Sequence, residues 1–82
     1  MGNIDKLIKR LLSNPKDFSY NELKTLLSGF GYKEQQRSGS RVVFKNERLH
    51  HSIKLHKPHP ENILKRYQLN VILKELKTKE LL

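Results

Sequence analysis

Two short runs, residues 41–45 and 52–56, restrict the fold more than any other part of this 82-residue chain. The second alternates apolar with charged or polar side chains, the period of a strand with one buried face, and the first sets Val42 and Phe44 two apart between Arg41 and Lys45. If Val42 and Phe44 face a core, Ile53 and Leu55 must face it as well. An antiparallel pairing that meets this condition sets Phe44 opposite Ile53 and Val42 opposite Leu55. Val43 then pairs with Lys54, and Arg41 with His56, on the opposite face. A slip of one residue would bury those charges, which argues for this register.

The flanking segments supply helices for that core. Ile4, Leu7, Ile8, Leu11 and Leu12 recur at helical spacing and predict an amphipathic helix over 3–13, with Asn3 as cap and Pro15 as stop. Ser19 and Glu22 have the spacing of a capping box, and Phe18 and Leu23 that of a hydrophobic staple. Leu23, Leu26, Leu27 and Phe30 form the stripe of this second helix, and Gly29 and Gly31 free the backbone for its exit. Residues 32–37 read as a weak strand and Ser38-Gly39-Ser40 as a turn. Residues 46–51 read as a loop, with His50 and His51 solvated in it. Leu69, Ile72, Leu73 and Leu76 predict a last helix over 68–79. The order α-α-β-β-β-α describes one α+β domain, residues 1–82, with helices on one face of a three-stranded antiparallel sheet.

Composition limits the function. The hydrophobic fraction is 35% with no Trp, which argues against a deep ligand cavity. With no Cys there is no disulfide framework, thiolate nucleophile or thiolate metal ligand. No apolar run is long enough to span a bilayer. The N-terminus lacks a signal-peptide layout, and Lys6 stands where myristoylation requires Ser or Thr, so a cytoplasmic protein without a membrane partner is expected.

The formal net charge is +9. Residues 33–66 carry nine Lys and Arg against three Glu, so most of the excess lies in the sheet and the segment after it. Such clustering suits a polyanion, whose neutralised phosphates release counterions. Within it lies His56-Lys57-Pro58-His59-Pro60. Histidine moves protons near neutral pH, and neighbouring cations can hold a phosphodiester while it does so. Pro60 biases His59 toward extended backbone. Four histidines at 50, 51, 56 and 59 raise the question of a metal site. The spacing does not support one, because zinc sites want three or four ligands of fixed geometry and no Cys assists here. No cofactor is expected.

Three segments carry a resemblance. Ser38-Gly39-Ser40-Arg41-Val42-Val43-Phe44, the His56-Lys57-Pro58-His59-Pro60 block and Leu64-Lys65-Arg66-Tyr67 resemble the HicA toxins of bacterial toxin–antitoxin pairs. More narrowly, the chain looks like a divergent branch of them with an added N-terminal helix and an Asp-Phe-Ser/Thr approach to the next helix, here Asp17-Phe18-Ser19. The resemblance implies a fold like that of a double-stranded-RNA-binding domain. It also implies a small endoribonuclease that cleaves mRNA without a metal, and an acidic HicB-type antitoxin that covers the active site. The common pattern has Gly-Ser-His before the second strand, with that His catalytic; this chain has Gly39-Ser40-Arg41. Arginine stays protonated and cannot be a general base. The expectation is therefore that His56, opposite Arg41, or His59 transfers protons. Arg41, Ser40, Lys54, Lys57, Lys65 and Arg66 are the expected RNA-binding residues. Tyr67 reads as a cover for the core at the start of the last helix, with base stacking the other role open to it. A non-catalytic RNA-binding module of the same fold is the alternative.

Overall fold

The computed structural model describes residues 2–13, 15–58 and 61–82. The elements run α1 (Gly2–Leu12), α2 (Tyr20–Gly29), β1 (Lys33–Gln36), β2 (Arg41–Asn46), β3 (His51–His56) and α3 (Arg66–Thr78). The sheet is antiparallel in the order β1-β2-β3. The β2–β3 register matches the parity argument at each of its pairs: Arg41 faces His56, Val42 faces Leu55, Val43 faces Lys54 and Phe44 faces Ile53. β1 extends the rows, with Gln36 opposite Val42 and Glu34 opposite Phe44.

All helices lie on the face that carries Val42, Phe44 and Ile53. α2 packs over β1, α3 over β3, and α1 against both helices. The core joins Leu11, Phe18, Leu23, Leu26 and Leu27 to Val42, Phe44 and Ile53, closed by Leu69, Ile72 and Leu76. Phe30, Leu55 and Leu73 are only partly buried at its margin.

The start of α2 follows the sequence signals. Glu22 N–H donates to Ser19 Oγ at 3.1 Å, and Ser19 N–H donates to Glu22 Oε1 at 3.1 Å. Phe18 and Leu23 are both fully buried, as a staple requires. Arg10 of α1 then grips the cap carboxylate, with Nε 2.7 Å from Glu22 Oε2. Burial pushes the Glu22 carboxyl up, but the Ser19 N–H and Arg10 together hold it below its usual value.

Several local expectations need correction. α1 begins at Gly2, so Asn3 lies within its first turn rather than before it. Gly29 belongs to α2 rather than to its exit: a Cβ there would lie 2.6 Å from Ile4 Cδ1, so its lack of a side chain lets α1 approach. Gly31, at φ +99°, makes the turn into β1. β3 starts at His51, which is a strand residue and not part of a solvated loop. Asn46 explains the shorter loop. It is 1% exposed, donates from Nδ2 to Phe30 O at 3.1 Å, and accepts Leu49 N–H on Oδ1 at 3.1 Å. A turn-type residue therefore completes β2 and starts the reversal itself. α3 begins at Arg66, because Gln68 Oε1 accepts the Lys65 N–H at 2.9 Å and closes the first turn.

Candidate functional site

The face of the sheet away from the helices carries the charge. Because side chains alternate, Lys33 and Gln35 of β1 share it with Arg41, Val43 and Lys45 of β2 and with Ser52, Lys54 and His56 of β3. Arg37 continues β1 into the hairpin turn, its N–H donating to Arg41 O at 2.9 Å. The outer face thus gathers Lys33, Arg37, Arg41, Lys45 and Lys54 around Val43, and its strand residues include no acid.

At one end of this face a groove of about 410 Å³ is lined by Arg37, Ser38, Arg41, Val42, Val43, Lys54, Leu55 and His56. The β1–β2 turn sets its rim. Gly39 takes φ +66° in open space, and Arg41 Nη2 donates to Ser38 Oγ at 2.6 Å. Ser40 O accepts Lys57 N–H at 2.8 Å, which ties the turn to the end of β3. Ser40 Oγ then lies 3.4 Å from His56 Nδ1. Gln68 of α3 donates from Nε2 to His56 O at 2.8 Å. His56 is therefore fixed through its backbone from two sides, while its imidazole stays exposed with a hydroxyl on one nitrogen. A groove of this kind can hold an anionic oxygen between guanidinium and ammonium groups. It also leaves the His56 imidazole beside that oxygen.

The expected site residues divide. Arg41, Ser40, Lys54 and His56 come together around the groove. Lys57 does not: its Nζ sits 5.8 Å from the ring centroid of Tyr20, on the helix side of the sheet. Strand parity requires this, since Lys57 follows Ile53 and Leu55 in phase. Lys65 and Arg66 are exposed at the start of α3. His59 lies outside the described residues.

Arg37 is a groove residue that the sequence reading missed. Its signal was present, because the same alternation carried through the 38–40 turn sets Arg37 beside Arg41. Tyr67 also departs from expectation, being 62% exposed rather than packed over the core.

His51 is the counterexample within the same strand. It faces inward, with Nδ1 2.6 Å from Tyr32 Oη and Nε2 3.3 Å from Glu75 Oε1. Its side chain is 11% exposed. Burial, helped by the charge of Glu75, pushes the Tyr32 hydroxyl up. Among the described residues no three His, Asp or Glu side chains group as metal ligands. No described helix is long and apolar enough to cross a membrane.

Comparison with known proteins adds one finding to this geometry. The family model described as the HicA toxin of bacterial toxin–antitoxin matches residues 20–77, from the first residue of α2 almost to the end of α3. No curated protein and no solved structure matches the chain significantly. The family match covers well over half of the sequence and takes in the whole sheet, and by it the chain belongs to the HicA toxin family.

Proposed function

We propose that this protein is an endoribonuclease toxin that cleaves single-stranded mRNA through the 2′-hydroxyl, without a metal, and is neutralised by an acidic HicB-type antitoxin. The observation that carries this reading is the pairing of His56 with Arg41 on an open, cationic sheet face, with Ser40 Oγ at the imidazole. In the reaction a neutral histidine takes the 2′-hydroxyl proton. The 2′-oxygen attacks the adjacent phosphorus, and the 5′-oxygen leaves with a proton. A 2′,3′-cyclic phosphate and a 5′-hydroxyl remain. His56 and His59 share the base and acid roles. Arg41, Arg37 and Lys54 stabilise the extra negative charge on the phosphorane, where fixed cations have their largest effect. Ser40 orients His56 or contacts a phosphate oxygen. Lys65 and Arg66 stand outside the groove and hold flanking phosphate or the antitoxin, while Lys57 lies on the helix side over Tyr20.

The test is cleavage of a single-stranded RNA by purified protein in EDTA. Cleavage that ends in a cyclic phosphate and is abolished in His56→Ala supports the reading. Activity lost in EDTA and restored by a divalent ion rejects it.

Arg41 favours a second reading, because an arginine stands where the common family pattern has its catalytic histidine. On that reading the chain is an RNA-binding module without catalysis. Salt-sensitive RNA binding with no cleavage by the intact protein would select it.

A further inference from the structure

Among the described residues, Tyr67 and Val71 are two of the few large hydrophobic side chains left in solvent, at 62% and 49% exposure. They are four apart on α3 and therefore share one helix face. With Ile53, Lys54, Leu55, His56, Gln68 and Ile72 they line a second groove of about 150 Å³ between α3 and the outer edge of β3. Lys54, Leu55 and His56 line both this groove and the cationic one. The two grooves thus meet at His56, one on each side of β3.

The polar groups on the α3 side are already committed. Gln68 donates to His56 O and accepts from Lys65 N–H, so both ends of its side chain are in use. What remains open is an aromatic ring, an aliphatic side chain and a cation. Such a lining suits a flat apolar face better than a patterned hydrogen-bonding edge. A planar ring fits its volume, and the groove adjoins the cationic one at Lys54, Leu55 and His56.

We propose that this groove is a base-binding subsite: Tyr67, backed by Val71, stacks one nucleobase of a single-stranded RNA whose neighbouring phosphate lies at Arg41 and His56. The proposal rests on the ribonuclease reading of the adjoining groove and adds a contact that this reading does not need. Stacking is sequence-tolerant because every base has a flat face. The subsite therefore takes purines and pyrimidines alike, with purines tighter by their larger area. A duplex cannot use it, since its bases are already stacked and paired.

The experiment is an abasic walk. A single-stranded RNA hexamer, 2′-O-methylated throughout to prevent cleavage, is made in six versions, each lacking one base. Binding is measured with the intact protein, Tyr67→Ala, Tyr67→Phe and Arg41→Ala. Tyr67 is exposed, so its replacement leaves the fold intact, which circular dichroism verifies. With the intact protein and Tyr67→Phe, one abasic position should weaken binding by on the order of 10-fold. In Tyr67→Ala that penalty should vanish while the full hexamer binds as weakly as the abasic one. An unchanged abasic profile in Tyr67→Ala, with binding still lost in Arg41→Ala, overturns the subsite and leaves the phosphate groove standing. Tyr67→Ala that binds RNA normally but loses a co-expressed antitoxin assigns the groove to protein and overturns it too. No RNA binding by the intact protein overturns the ribonuclease reading, and the subsite with it.

Discussion

β3 begins with His51 and ends with His56, and the two histidines have opposite surroundings. Five positions separate them, an odd number, so they project from opposite faces of the sheet. His51 sits between Tyr32 and Glu75 under the helices, with each ring nitrogen near a partner. His56 stands among cations in the open, with one hydroxyl near it. The residue type is the same and the strand is the same. What differs is whether the imidazole is occupied in holding the fold or free to meet a substrate. A histidine-rich segment is thus sorted by strand phase before any chemistry is considered.

The sharpest way to break this comparison is to remove each imidazole in turn. His56→Ala should lower RNA cleavage by roughly 100-fold or more, the usual weight of a proton-transfer group. Its unfolding free energy should move by less than about 0.5 kcal/mol, because an exposed side chain with one weak partner is lost. Full cleavage by a folded His56→Ala protein would end the case for this residue. His51→Ala should do the reverse. It leaves the buried Tyr32 hydroxyl and the Glu75 carboxylate without their shared partner, at a cost of about 1–3 kcal/mol in denaturant unfolding. Below its melting transition its cleavage rate should stay unchanged.

How much of this contrast the sequence disclosed depends on the element. The β2–β3 register was legible because a slip of one residue would turn Arg41, Lys54 and His56 toward the core. The capping box of α2 was legible because its signal is local. His51 was not. Asn46 reads as a loop residue by type, yet its amide completes β2 through tertiary contacts with Phe30 O and Leu49 N–H, which no local pattern reports. That shift moved His51 into the strand. Tyr67 was misplaced for a related reason. The stripe Leu69, Ile72 and Leu76 fixes the inward face of α3, and Tyr67 and Val71 fall outside it once the helix starts at Arg66. The start is set by Gln68, whose side chain bonds Lys65 N–H on one side and His56 O on the other. Lys57 was grouped with the site by its neighbours in sequence, although its phase sends it inward.

A smaller effect separates the two faces by salt. For single-stranded RNA, each phosphate neutralised contributes about −0.7 to the slope of log affinity against log salt. Lys45→Ala on the outer face should make that slope shallower by roughly this amount. Lys57→Ala, whose ammonium lies over Tyr20, should change the slope less than Lys45→Ala does. Equal slopes in the two variants would mean that RNA does not distinguish the faces.

The smallest expected effect concerns the carboxylates, which the outer strand positions lack and the helix side uses. Glu34 faces inward from β1, where the Tyr20 hydroxyl donates to one oxygen and Lys24 Nζ lies 3.4 Å from the other. The Tyr20 hydrogen bond, joined by the charge of Lys24, holds the Glu34 carboxyl below its ordinary value of 4.5 against the opposing push of burial. Its folded pKa is therefore lower than its unfolded one, and the unfolded chain binds more protons as the pH falls through that interval. The associated stability is complete above about pH 4.5 and is lost progressively as acid carries the solution through the folded value. Glu22 acts in the same direction at the α2 cap. Glu34→Gln keeps an acceptor for Tyr20 but cannot titrate, so its unfolding free energy should fall less steeply below pH 4.5 than that of the parent. Cleavage near neutral pH should be the same in both, since Glu34 and His56 lie on opposite faces. A parent and variant with identical acid profiles would show that Glu34 is not held ionised by the fold.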